Sequence, residues 1–151
     1  MIKKILIILL MLLVIPLAVM GAGICEFTQE GSSPGAEHNW RHYTCTADAT
    51  GDVAPYTVKG FYDFYLYSVE TWPGDATADA TGDFTLVDAT TGEDLTGGNG
   101  TDAIASVAKT IAPKSTAMGV NFNHLVKGNL TLNITDATVD SIMNVRVTGV
   151  K

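Results

Sequence analysis

The sequence predicts a single all-β sandwich, immunoglobulin-like or jelly-roll-like with about seven antiparallel strands, behind an N-terminal signal peptide. Three observations lead there. Lys3 and Lys4 precede an apolar run from Ile5 to Leu17, and the small residues Gly21, Ala22 and Gly23 follow, which is the layout of a secretory leader. Beyond it the chain is rich in Thr, Gly, Ala, Asp and Val, a vocabulary of strands and turns. Short alternating apolar runs are separated by Gly, Pro and Asp at close intervals, as in a sandwich.

The domain reading is therefore a signal peptide over 1–23 and a β-sandwich over 24–151. Pro16 interrupts the apolar run, which falls short of the roughly 20 residues of a comfortable membrane span. The competing readings are an uncleaved anchor, which would make the leader the chain's one membrane contact, and a lipoprotein. Ile24 before Cys25 speaks against the lipoprotein, because a lipobox wants a small residue there. Without the leader, seven basic residues face sixteen acids, a formal charge of −9. Such a surface is a poor partner for nucleic acid or anionic membrane.

Along the exported part, Gln29 to Gly35 reads as a loop between two short extended pieces, the second over Trp40–Thr46. Tyr56 to Trp72 is the densest strand signal, one long strand divided at Gly60, and Pro73-Gly74 turns the chain. Asp83–Asp88 alternates, with Phe84 and Leu86 on one face. Ile104, Val107 and Ala108 fall at helix spacing, so a helical turn is expected over Asp102–Thr110. Strands follow over Thr116–Phe122, Asn129–Thr135 and Ser141–Thr148. The heptapeptide Thr-Ala-Asp-Ala-Thr-Gly-Asp occurs at Thr46–Asp52 and at Thr77–Asp83, and its flanks do not align. Repeated turn chemistry explains it more simply than duplicated modules.

Several ordered segments together resemble a known group. Val69-Glu70-Thr71-Trp72-Pro73-Gly74 is similar to a strand ending in Pro-Gly. Asp83 to Asp88, followed by Gly92-Glu93-Asp94-Leu95 and Gly97-Gly98, is similar to a strand, turn and Asp-Leu/Gly-Gly segment. Gly128 to Thr135 is similar to a late Gly-x-Leu-Thr-Leu strand. The group they resemble is the small β-rich proteins encoded among the structural genes of tailed phages, prophages and environmental viral genomes. None of these motifs is catalytic, so the resemblance implies an accessory structural role associated with virions. The N-terminal section, with its cysteines, histidines and Trp40, departs from the pattern.

Four constellations remain to be weighed. Cys25 and Cys45 are an even pair in an exported chain and are expected to form a disulfide. A loop of about twenty residues closed this way stabilises by about 3 kcal/mol. With His38 and His42 they are also the residue types of a zinc site, but extended backbone places residues four apart about 13 Å from each other. Gly31-Ser32-Ser33-Pro34-Gly35 matches Gly-x-Ser-x-Gly without the strand and helix that a nucleophile elbow requires. Asp75, Asp79, Asp83, Asp88 and Asp94 lack calcium-loop spacing and read as turn residues, and Gly97 to Gly100 is a turn without a phosphate-binding lysine.

Tyr62, Tyr65, Tyr67 and Trp72 form an aromatic stretch. Half of it belongs in a core, and the exposed half is a candidate binding face. The expectation is thus a non-enzymatic, phage-encoded or virion-associated accessory protein with no catalytic residue, metal or cofactor. It would be exported to the periplasm, cell surface or medium, or be carried on a virion, and its partner would be a protein, a second copy or a particle. The alternatives are a cell-envelope module that binds glycan or protein through the Tyr62 to Trp72 region, and a secreted hydrolase or metal-dependent enzyme.

Overall fold

Alternating burial along the strands builds two layers. The computed structural model describes residues 22–32, 38–74, 81–114 and 124–151. Its strands are β1 (Ile24–Ser32), β2 (His38–Thr46), β3 (Val53–Val58), β4 (Tyr65–Pro73), β5 (Asp83–Asp88), β6 (Lys109–Ile111), β7 (His124–Leu125), β8 (Leu130–Thr135) and β9 (Ile142–Val150). The larger sheet runs β1-β2-β9-β4-β6, with β7 also paired to β4, and the smaller runs β3-β8-β5. Every strand pair is antiparallel.

In β9, Met143, Val145 and Val147 point inward and are buried, while Asn144, Arg146 and Thr148 point outward. In β8, Leu130, Leu132 and Ile134 do the same from the other layer. Between them lies one apolar core, to which β2 adds Tyr43 and Cys45, β4 adds Leu66 and Val69, and β5 adds Phe84 and Leu86. Burial pushes the Tyr43 hydroxyl up to about 12. The sandwich expectation therefore holds at the level of two packed antiparallel sheets.

Several element expectations are corrected. Nine strands are present among the described residues, where about seven were expected. The first extended piece is a nine-residue strand that runs through Ser32, because ladder pairing with β2 holds even the Gln-Glu-Gly-Ser run that reads locally as loop. A bulge at Thr28 absorbs one residue of that ladder. The expected division of the Tyr56–Trp72 stretch into two strands holds, and the two lie in different sheets with Phe61 buried between them. The break comes at Gly60, whose φ of 87° favours glycine, and a Cβ there would lie 2.4 Å from the Arg41 guanidinium. No helix forms over Asp102–Thr110. Ile104 bridges Gly82 and β6 pairs with β4, so sheet contacts override the helix-spaced pattern.

The leader expected over 1–23 lies outside the described residues apart from Ala22 and Gly23, as does the whole of the strand expected over Thr116–Phe122. The Gly23 carbonyl accepts the Ala54 amide at 2.8 Å. Among the described residues, no helix is long and apolar enough to cross a membrane.

The repeated turn vocabulary has a common mechanism. The carboxylates of Asp48, Asp88 and Asp94 each accept the backbone amide two residues on, from Thr50, Thr90 and Thr96. Asp48 also accepts the Thr50 hydroxyl and the Asp52 amide, which lowers its carboxyl to about 2.

Candidate functional site

The disulfide forms between directly paired residues of β1 and β2. Cys25 and Cys45 are 20 residues apart in sequence and 4.0 Å apart at their Cα atoms, on the core side of the larger sheet. His38 and His42 have the opposite parity in β2 and lie on the outer side. The four residues are therefore not gathered around one point. Among the described residues, no group of three or more His, Cys, Asp or Glu is placed to hold a metal ion.

The outer side of the larger sheet is where the chain collects its aromatic and planar polar side chains. β2 contributes His38, Trp40, His42 and Thr44 by simple alternation, and β9 contributes Asn144, Arg146 and Thr148. β4 contributes Tyr65, Glu70 and Trp72, together with Tyr67, which a bulge between Leu66 and Ser68 turns to the same side. Arg146 sits at the centre. Its guanidinium lies 5.1 Å from the Trp40 ring centre and 5.3 Å from that of Trp72, and its Nη1 donates to Glu70 at 3.0 Å. Among the described residues, Arg146 Nε is buried without a hydrogen-bond partner.

Around this stack, the ring centres of His42 and Trp72 are 4.9 Å apart, and those of His38 and Tyr67 are 5.4 Å apart. Asn144 Oδ1 accepts the Thr44 hydroxyl at 3.1 Å and lies 2.9 Å from His42 Nε2, so that nitrogen is the donor to the amide oxygen. Gly31 of β1 stands opposite Trp40, and a Cβ there would lie 2.3 Å from the indole. Trp40 thus lies flat over the edge strand because position 31 has no side chain. Tyr65 and Tyr67 remain 44% and 52% exposed, which leaves ring surface facing solvent.

The four aromatic residues singled out in the sequence separate by position. Tyr65, Tyr67 and Trp72 share the outer side of the larger sheet, whereas Tyr62 lies in the turn before β4. Sequence reasoning missed Trp40, Glu70 and Arg146 as members of that group. The alternation His38-x-Trp40-x-His42 was visible as a signal, but β9 comes between β2 and β4 and only the strand order reveals that.

The remaining candidates are distributed. Ser33 to Gly35 of the Gly-x-Ser-x-Gly match, and Asp75 and Asp79, lie outside the described residues. Asp83 accepts the Asp102 amide, Asp94 the Thr96 amide and hydroxyl, and Asp88 pairs with His124 at 2.8 Å. Burial pushes the Asp88 carboxyl up, but the His124 hydrogen bond and the amides of Thr90 and Thr91 outweigh it, and the net shift is downward.

No family model and no curated protein matches the chain. Among solved structures, the chain is similar to a protein of the cyanophage Pam1 capsid asymmetric unit, at 15% identity over 83% of this chain and 92% of that one, with a TM-score of 0.41. A likeness at that level assigns neither a shared fold nor a role.

Proposed function

We propose that the chain is a non-enzymatic, phage-encoded or virion-associated accessory structural protein that presents the outer side of its larger sheet for docking. The segments that resemble phage structural proteins fall in the scaffold: the end of β4, β5 with the turn after it, and β8. The observation that carries the docking reading is the outer side itself, where Trp40 and Trp72 flank Arg146 and the rings of Tyr65 and Tyr67 on the same side face solvent. Trp, Tyr and Arg are the residue types that dominate binding energy at recognition surfaces. A leader over 1–23, an exported domain over 24–151 and a disulfide that persists in an oxidising compartment complete the reading.

Mass spectrometry of gradient-purified particles, envelope fractions and culture fluid from the producing cells tests it. Peptides of this chain at a fixed ratio to particle proteins are expected. Their confinement to envelope or fluid would contradict the virion role.

A further inference from the structure

We propose that the outer side of the larger sheet binds a neutral polysaccharide chain. This rests on the reading of that side as the docking surface and names the chemistry of what docks. Three properties of the surface point to sugar.

The first is ring content. Trp40, Trp72, Tyr65, Tyr67, His38 and His42 stand on one solvent-facing side, and the apolar C–H face of a pyranose stacks on such rings. The second is the polar groups between them. Glu70 offers a planar acceptor and Arg146 a forked donor, and both side chains stay partly exposed. Planar groups of this kind match the vicinal hydroxyls of a sugar in pairs. The cross-strand rows through Trp40, His42 and Thr44 carry aromatic or polar side chains on β2, β9 and β4, with no aliphatic one.

The third property is charge. The chain as a whole is acidic, but here Arg146 and Glu70 neutralise each other at the centre of the surface. An uncharged, hydroxyl-rich ligand meets no repulsion there, whereas a polyanion would face the acidic remainder of the molecule. A protein partner would use the same rings, and the test separates the two.

Both tryptophans of the chain, Trp40 and Trp72, lie on this surface, so intrinsic fluorescence reports on it alone. The probes are cellohexaose and chitohexaose, with hexagalacturonate as the charged comparison. The expected result is a saturable change in tryptophan emission with at least one neutral hexasaccharide, insensitive to salt. Tyr67→Ala, at a half-exposed position outside the core, should weaken it at least about tenfold. Val139→Ser, at an exposed position in the turn before β9, should leave it unchanged.

No saturable change with either neutral hexasaccharide up to about 10 mM, or binding that Tyr67→Ala leaves intact, would overturn the proposal. The fractionation of the wild-type protein keeps the two readings apart. Protein found in particles but blind to both sugars sinks the ligand assignment alone. Protein that binds sugar but is absent from particles sinks the virion role alone.

Discussion

Arg146 links Trp40, Trp72 and Glu70 into one stack in which each contact is weak and the arrangement is shared. Half-exposed cation–π contacts contribute about 0.5–1 kcal/mol each and the ion pair with Glu70 no more than that. Arg146→Met is therefore expected to cost about 1–2 kcal/mol in urea unfolding and to shift tryptophan emission, because both indoles lose their common neighbour. A change in stability with no change in emission would contradict the stack. At Asp88, the carboxylate accepts from Thr90 and Thr91 and pairs with His124 while fully buried. Its folded pKa is lowered. Its contribution to stability is thus complete above the ordinary carboxylate value of about 3.9 and is lost as pH falls through the lower folded value. Asp88→Ala should cost about 3 kcal/mol at neutral pH and flatten the acid limb of the stability curve. An unchanged acid limb in urea titrations at successive pH values would refute that. This pair was not legible in the sequence, since 36 residues separate its members and nothing local marks either as buried.

The hairpin of β1 and β2 gives the outer surface its edge. The Cys25–Cys45 bond ties one end of the β1–β2 ladder, and beyond the bulge at Thr28 the same ladder sets Gly31 beneath Trp40. Replacing both cysteines by serine should lower unfolding stability by about 3 kcal/mol, the loop-closure value for a separation of twenty residues. A much smaller loss would mean that the ladder alone holds β1. Gly31→Ala should displace the Trp40 indole and change its emission while the core stays folded, as judged by near-ultraviolet circular dichroism. The elements with strong alternation, β5, β8 and β9, were readable within one or two residues, because each buries one complete apolar face. β1 was not, because its residues are mostly exposed and its pairing comes from β2 rather than from its own apolar pattern. The expected helical turn failed for the converse reason. Of Ile104, Val107 and Ala108, only Ile104 is buried, as the anchor of its bridge to Gly82, and the other two are exposed, so the helix-spaced residues share no buried face.

At the scale of the whole molecule, a two-layer β architecture and a disulfide were legible from composition, strand alternation and cysteine count, because those depend on local chemistry. The outer surface was legible only in part. Tyr65, Tyr67 and Trp72 announce themselves within eight residues of sequence, whereas Trp40 and Arg146 join them through the order β2-β9-β4, which no local pattern encodes. The central claim is that a virion-held scaffold presents this surface to solvent. Hydroxyl-radical footprinting of purified particles, compared with the free protein, tests that claim most directly. The account predicts that peptides of this chain are recovered from the particles, with Tyr65, Tyr67 and Trp72 oxidised to the same extent as in the free protein. Absence of the chain from the particles, or protection of those three rings within them, would contradict it.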